Sequence, residues 1–159
     1  MTQAAGETDQ TQHGRGAGDN HRARHVIIAG FGLSGRSAAN NLLAKGASIC
    51  VIEKNGETVA RCTKGGLQII EGDAAEEETL RRAGIDRATE IAITIPDDDE
   101  VLRVIDTVRR IAPSLHIIAR CTFVSSGMEA HRRGASEVVV SEQIVANEFG
   151  RVMRDLRPR

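Results

Sequence analysis

The residues with the clearest chemical potential are three glycines at the spacing Gly-x-Gly-x-x-Gly: Gly30, Gly32 and Gly35. They directly follow the apolar run HVIIA and open the stretch SAANNLLAKG, which has helical composition. At a strand-to-helix turn the first glycine permits a tight turn, the second lets the backbone approach a pyrophosphate, and the third lets the helix pack on the strand. Amides at the helix N-terminus then face the anion. The pattern predicts a phosphate-binding segment made of Gly30, Phe31, Gly32, Leu33, Ser34 and Gly35.

With 16 glycines in 159 residues, this spacing alone is weak evidence, but an acidic residue strengthens it. Glu53 ends the second apolar run, SICVIE, where a carboxylate of a dinucleotide-binding fold accepts hydrogen bonds from the adenosine ribose. A 2′-phosphate there meets like charge, at a cost of about 4 kcal/mol for a pair about 4 Å apart. NADP(H) is therefore disfavoured, although the adjacent Lys54, also a candidate binding residue, can reduce the penalty. NAD(H), AMP, ADP and ATP all keep a free 2′-hydroxyl, so the sequence leaves the choice among them open.

Two further turns are expected to complete the pocket, because ligands of open parallel sheets lie at the carboxyl ends of the strands. The turn after the third strand holds Gly72, Asp73 and Ala74, and Asp73 either caps the next helix or contacts adenine. The turn after the fourth strand supplies a nearby wall: Thr94, Ile95 and Pro96. The acidic run at 97–100 resembles a metal site, but acidic residues are also typical of a first helical turn, and we prefer that interpretation.

Elements that position these residues can be read from six short runs rich in Ile and Val, which alternate with segments of helical period. The runs are HVIIAG, SICVIE, LQIIEG, EIAITI, LHIIAR and EVVVS. Because they are nearly continuous in apolar residues, they indicate strands buried on both faces of a parallel sheet. Helices are expected near 33–45, 56–64, 76–83, 98–111, 124–133 and 142–156. Right-handed crossovers then predict an α/β fold, a Rossmann-like doubly wound parallel sheet of about six strands in the order 3-2-1-4-5-6, with helices on both faces.

Composition restricts the class of protein. The 21 Lys and Arg balance 22 Asp and Glu, so no strong field attracts nucleic acid, which we exclude as a partner. No stretch approaches the roughly 20 consecutive apolar residues that span a bilayer, and no secretory signal is evident, so a soluble, cytoplasmic chain is expected. Residues 1–24 are polar and aperiodic, which predicts a disordered tail. Residues 25–156 are expected to form one nucleotide-binding domain. The three cysteines lack CxxC spacing and are expected to be ordinary packing thiols.

The sequence offers little equipment for catalysis. The predicted fold uses nearly every residue after 24, which leaves no room for a substrate-binding domain. A chain without Tyr cannot build a Tyr-Lys hydride-transfer site, and its five His are dispersed. A non-catalytic binding domain is therefore expected. A small NAD-dependent oxidoreductase and, less favoured, an S-adenosylmethionine-dependent methyltransferase stay as alternatives.

Six segments together carry a family resemblance: HVIIAGFGLSGRSAANNL, VIEKN, GDAAEEETLRRAGIDRA, ITIPDDDE, SLHIIARC and RRGASEVVVSEQIVANEF. They resemble the RCK or KTN (TrkA-N type) nucleotide-binding domain that regulates potassium channels and transporters. The segments IIAR and GASEVVVSEQIVA are most similar to the cytoplasmic domains of monovalent cation:proton antiporters and glutathione-gated potassium efflux systems. The resemblance implies a homodimer that binds NAD(H), AMP, ADP or ATP and regulates a membrane potassium channel or cation:proton antiporter. The chain is then either a separate soluble subunit or a fragment of a membrane protein.

The resemblance also implies roles for individual residues. The glycine loop at 30–35 would hold phosphate and Glu53 the ribose, while Asp73 and Ala74 would contact the base beside the wall at 94–96. Arg120, in the IIAR segment, would reach either phosphate or a partner subunit, unless it pairs with a local carboxylate. The sequence departs from the family by placing Glu100 and Val101 where Asn or Ala is common. Cys121, beside Arg120, is a weaker candidate for redox sensitivity.

Overall fold

The computed structural model describes residues 24–156, so of the predicted disordered tail at 1–24 all but Arg24 lies outside the described residues. Six strands form one sheet in which every pair of neighbours is parallel. Their bounds are His25–Ala29 (β1), Ser48–Glu53 (β2), Ile69–Glu71 (β3), Glu90–Ile93 (β4), His116–Cys121 (β5) and Glu137–Val140 (β6). The order is β3-β2-β1-β4-β5-β6. This confirms the predicted Rossmann-like topology, in which the strand order switches between β1 and β4.

Helices connect the strands at nearly the predicted positions. Their bounds are Leu33–Ala44 (α1), Gly56–Lys64 (α2), Glu77–Arg82 (α3), Asp98–Ile111 (α4), Val124–Arg132 (α5) and Ser141–Arg154 (α6), with a short 3-10 turn at Ile85–Arg87. The third strand is shorter than its apolar run, because it lies at the sheet edge and pairs with only three residues of β2. Within residues 24–156 none of the helices is both long enough and apolar enough to cross a bilayer.

The core lies on both faces of the central strands. Every residue of β1 is buried, and successive side chains point to opposite faces. Ile27 belongs to the larger cluster, which packs under α3, α4 and α5, whereas Ile28 belongs to a smaller one under α1. Helix α4 packs on the sheet through an apolar stripe, since five of its apolar residues are buried: Val101, Leu102, Val104, Ile105 and Val108.

The two edge strands and the last helix are less buried than the centre of the sheet. The prediction of strands buried on both faces holds for β1 and β2 but is wrong for β3 and β6, which are sheet edges with no buried residue. No residue of α6 is buried either. Its apolar side chains are largely exposed: Ile144, Val145, Phe149, Val152 and Met153. An open apolar groove is left on the α1 face of β4, β5 and β6, lined by side chains that include Ala92, Ile118 and Val139.

Candidate functional site

The glycine loop takes the conformation that its spacing predicts. Gly30 has φ +92°, a left-handed backbone that favours glycine. A Cβ on Gly35 would lie 2.2 Å from the carbonyl oxygen of Gly30, so α1 can pack against the end of β1 only without a side chain there. A Cβ on Gly32 would have no neighbour within 4 Å. The loop therefore needs Gly30 and Gly35 for its own shape, whereas Gly32 faces open space.

The start of α1 leaves amides available for an anion. Gly32 is the N-cap residue, and no side chain caps the helix. The first N–H groups of a helix lack intrahelical partners, and the helix dipole makes this end favourable for negative charge. The loop is braced from β4, because Thr94 Oγ1 donates a 2.8 Å hydrogen bond to the carbonyl oxygen of Gly30.

Glu53 is fixed by the backbone on both sides. Its Oε2 accepts a 2.8 Å hydrogen bond from the N–H of Phe31, and its Oε1 accepts a 2.9 Å bond from the N–H of Asn55. An ionised carboxylate has about four lone-pair sites, so two hydrogen bonds leave acceptor capacity for a ligand hydroxyl. The fingerprint loop and its acidic partner are thus joined directly, 22 residues apart in sequence.

A cavity opens at the carboxyl ends of β1, β2 and β4. It brings together most of the predicted site: Gly30, Phe31, Gly32, Glu53, Lys54, Ala74, Thr94, Ile95 and Pro96. Gly72, from the turn expected to complete the pocket, also lines the cavity, whereas two further lining residues were not predicted: Ile52 and Glu100. Ile52, Ile95 and Pro96 give the cavity apolar walls, whereas Glu53, Lys54 and Glu100 are its charged lining residues. Such a cavity has the position at which open α/β sheets bind their ligands.

A three-residue ion-pair cluster lies across the rim, and we call it the Lys54 cluster. Lys54 Nζ lies 3.0 Å from Asp73 Oδ2 and 2.8 Å from Glu100 Oε1. Burial of Asp73 opposes its ionisation, but the N–H of Ala75 and the Lys54 ammonium together lower the pKa of this carboxyl. The helix-cap alternative for Asp73 is wrong, because Asp73 Oδ1 accepts from Ala75 N–H in the turn and the N-cap residue of α3 is Glu76.

Five predicted residues lie outside the cavity lining: Leu33, Ser34, Gly35, Asp73 and Arg120. Leu33 is 84% exposed at the start of α1. Ser34 and Arg120 line the apolar groove on the α1 face of the sheet. Arg120 Nε donates a 3.2 Å hydrogen bond to Ser141 Oγ, so its local partner is a hydroxyl at the start of α6.

The acidic run at 97–100 serves the α4 start, and one member also reaches the cavity. Asp97 is the N-cap residue and its side chain accepts from the N–H of Glu100. Asp98 accepts from the N–H groups of Thr122 and Phe123. Burial opposes the ionisation of Asp98, but these bonds and one from a serine hydroxyl lower its pKa. Among residues 24–156, no group of three or more His, Cys, Asp and Glu side chains is placed to hold a metal ion.

Glu100 could have been recognised from its position rather than its type. It is the third residue of α4, and α4 begins at the same sheet edge as the glycine loop. Its carboxylate therefore points back over the cavity toward Lys54. Arg36 lies outside the cavity lining, and its Nε donates a 3.4 Å hydrogen bond to the carbonyl oxygen of Gly32.

The weaker expectation of a redox-sensitive Cys121 is wrong. The side chain is fully buried in the main core. Burial, together with the charge of Asp98, raises the pKa of the Cys121 thiol to about 11, although Arg120 acts in the opposite direction. Because the thiolate is the reactive form, a thiol with this pKa is inert at neutral pH. Cys50 is buried as well.

Comparison with known proteins finds a family and relatives that match most of the chain. The TrkA-N domain family matches residues 26–141. YbaL of Escherichia coli strain K12, assigned as a cation/proton antiporter, is 30% identical over 122 residues, which are 77% of this chain and 22% of YbaL. The chain thus spans about a fifth of that relative.

Solved structures of related domains superpose on most of this chain. The TrkA-N domain of the inner membrane protein YbaL from Escherichia coli superposes with a TM-score of 0.78 at 27% identity, covering 84% of this chain and 98% of that domain. The GsuK channel bound to NAD gives a TM-score of 0.75 at 28% identity, covering 86% of this chain and 24% of GsuK. GsuK bound to ADP gives 0.74 at 28% identity, covering 84% and 35%.

Proposed function

The chain belongs to the TrkA-N domain family, as its sequence motifs predicted, and from this premise we propose that it is a regulatory domain that senses adenine nucleotides. In this proposal residues 25–156 act as one domain, and its occupancy controls cation transport by a potassium channel or cation:proton antiporter in the membrane. The observation that carries the proposal is the direct hydrogen bond from the glycine loop to Glu53 beside an open cavity.

The proposed ligand is NAD(H) or one of AMP, ADP and ATP. Its phosphates would lie against the loop made of Gly30, Phe31, Gly32, Leu33, Ser34 and Gly35. The open space at Gly32 and the uncapped start of α1 suit an anion. Glu53 would accept from the ribose, and the base would lie near Asp73, Ala74 and the wall formed by Thr94, Ile95 and Pro96. NAD and ADP are bound by the related GsuK.

We assign the site a binding role and not a catalytic one. The charged groups that line the cavity are already engaged by the protein itself: Glu53 by backbone amides, and Lys54 and Glu100 by each other. A general acid or base must instead be free to exchange a proton with substrate. Incubation of the protein with NADH and candidate oxidants should therefore give no turnover, and sustained oxidation of NADH would replace this proposal with a reductase.

Binding can be tested by isothermal calorimetry with NAD⁺, NADH, AMP, ADP and ATP. Glu53→Gln keeps the size of the side chain but removes the charge and replaces one acceptor with a donor, so we expect at least about tenfold weaker binding, or about 1.4 kcal/mol. Glu71→Gln is the matched control, since Glu71 ends β3 directly opposite Glu53 and does not line the cavity. Absence of binding by every nucleotide, or equal losses in the two variants, would contradict the proposal.

A homodimer is proposed on the surface formed by α6. This helix exposes a row of apolar side chains, with Phe149 69% exposed, and the same chain carries an apolar groove on the sheet face that α6 leaves open. Each copy thus presents both a helix and a groove of matching chemistry, as a two-fold symmetric exchange requires. Arg120 lies in this groove, so in the dimer it would face the partner subunit.

Analytical ultracentrifugation can test the dimer. Phe149→Glu places a charge in the apolar row and should convert the dimer to a monomer, because an unpaired buried charge is costly. Asn147→Glu adds the same charge on the same exposed helix at a polar position and should leave the dimer intact. A wild-type chain that sediments as a monomer at all concentrations would refute this arrangement.

Regulation would follow from a change in the arrangement of two such domains on the cytoplasmic side of the membrane. A nucleotide can shift this equilibrium only by binding one arrangement more tightly than the other. We therefore expect the small-angle scattering profile of the dimer to change when NADH or AMP is added. A profile that stays the same at saturating ligand would argue against this mechanism.

A further inference from the structure

The charged rim of the proposed nucleotide cavity bears on whether the site accepts a 2′-phosphate, a question that the adjacent residues Glu53 and Lys54 leave open in the sequence. A carboxylate at the ribose position repels a 2′-phosphate, but a lysine directly after it can bind that phosphate as a point charge. Which effect prevails depends on whether the ammonium is free. Its position is therefore decisive for the class of nucleotide that the site accepts.

We propose that Asp73 and Glu100 engage Lys54 so fully that the site rejects nucleotides with a 2′-phosphate, which makes Glu100 a specificity-determining residue. This inference rests on the proposed nucleotide site. Lys54 Nζ is within 3.0 Å of both carboxylates, which come from the β3–α3 turn and from the first turn of α4. Hydrogen bonds to Glu100 and Asp73 raise the pKa of the Lys54 ammonium, so it stays charged but is already paired.

The balance of charge around the expected ribose position is negative. The carboxylates of Asp73 and Glu100 pair with the ammonium of Lys54, and a third carboxylate, that of Glu53, lines the same cavity. Arg103 lies 3.6 Å from Glu100 Oε1 but does not line the cavity. A neutral 2′-hydroxyl meets no penalty in this field, whereas a phosphate dianion meets uncompensated like charge.

Glu53 cannot relieve this repulsion by turning away. Both of its oxygens are held by backbone N–H groups, those of Phe31 and Asn55, which belong to the elements that shape the cavity. Rotation of the side chain would leave two amides without their acceptor. The remaining way to admit a 2′-phosphate is to release Lys54 from its partners.

Affinity measurements with two matched ligands test the inference: adenosine 5′-monophosphate, and adenosine 2′,5′-bisphosphate, which differs only by the 2′-phosphate. Wild type should bind the monophosphate at least about tenfold more tightly. Glu100→Gln keeps a residue suited to the third position of a helix but frees Lys54 from one carboxylate. It should reduce the preference by about tenfold, mainly by tighter binding of the bisphosphate. NADH and NADPH provide the same comparison for dinucleotides.

Two further variants identify the group responsible. Asp99→Asn removes one negative charge from the same turn of α4 at an exposed position outside the cavity, and should leave the preference unchanged. Lys54→Met in the Glu100→Gln background should abolish the gain in bisphosphate affinity. If Arg103 were the group that binds the 2′-phosphate, the gain would instead persist. Thermal unfolding without ligand checks that all variants are folded, and small shifts are expected because this ion pair is partly exposed.

Each outcome of the affinity measurements has a distinct meaning. Loss of preference in Glu100→Gln, absent in Asp99→Asn and reversed by Lys54→Met, supports the inference. Equal wild-type affinity for the two ligands, or equal effects of the two charge removals, overturns it while leaving the nucleotide site in place. Failure of wild type to bind any adenine nucleotide overturns the proposed function, and the inference with it.

Discussion

Two glycines of the same loop should respond in opposite ways to one added methyl group. At Gly35 a Cβ would lie 2.2 Å from the Gly30 carbonyl oxygen and 2.9 Å from Thr94 Oγ1. The first distance is 0.8 Å short of the 3.0 Å below which real Cβ atoms essentially never occur, and the neighbour is backbone. Either α1 or the end of β1 must move. We expect Gly35→Ala to cost about 3 kcal/mol of unfolding free energy, at the upper end of the range for overpacking.

Gly32→Ala should leave stability almost unchanged. Its φ of −71° and ψ of −159° are accessible to alanine, and the Cβ would meet nothing within 4 Å. Alanine is a poorer N-cap than glycine, but it also reduces the entropy of the unfolded chain, and these effects of about 0.5 kcal/mol oppose each other. The space that the methyl group occupies is the space proposed for the pyrophosphate. Gly32→Ala should therefore lose nucleotide binding and keep the fold.

Thermal unfolding with and without NADH measures both quantities in one experiment. A ligand at about 100 times its Kd stabilises the folded state by about 2.7 kcal/mol, or about 8 °C in Tm for a domain of this size. We expect this shift in wild type, its absence in Gly32→Ala, and a low Tm without ligand in Gly35→Ala. The reasoning is refuted if Gly32→Ala keeps the full shift, or if Gly35→Ala is as stable as wild type.

Three further predictions concern stability and reactivity. Arg109 donates to the carbonyl oxygens of Gly134 and Leu115, so Arg109→Met should cost about 3 kcal/mol in urea unfolding; a loss under about 1 kcal/mol would contradict this. Because the pKa of Asp98 is lowered in the folded state, its ionised form stabilises the fold at pH above about 3.9. This contribution is lost as the pH falls through the folded-state pKa. Asp98→Asn should thus be less stable at pH 7, with a gap that narrows at pH 3; a constant gap would disprove the assignment. A thiol reagent should modify half-buried Cys62 in the native state and Cys121 only after unfolding, as mass spectrometry of the labelled peptides can establish.

The fold was predictable because its signals are local. Buried parallel strands need continuous apolar runs, and each crossover needs a helix, so the alternation of HVIIA, SICVIE and their successors determines the sheet order. The spacing of Gly30, Gly32 and Gly35 likewise reports backbone requirements within one turn. Strand lengths were less predictable, because the ladder of β3 depends on how many residues of its neighbour remain to pair.

The site was predictable only as far as backbone geometry determines it. The carboxyl ends of parallel strands meet at one edge, which is why Glu53, Ala74 and Thr94 could be expected to converge. Side-chain partners were not predictable by the same reasoning. Glu100 resembled any acidic residue of a first helical turn, and only its approach to Lys54 across 46 residues shows that it belongs to the cavity rim.

The sequence by itself therefore determined the family, the order of the strands and the position of the phosphate loop, because each of these depends on residue types at short spacing. The tertiary structure decided which charges neutralise one another and which apolar surfaces stay open. It alone shows that Lys54 is already paired, that Arg120 lies in a groove apart from the cavity, and that the apolar side chains of α6 stay exposed. The physical reason is that ion pairs and uncovered faces depend on distances between segments far apart in the chain, which composition and periodicity do not record.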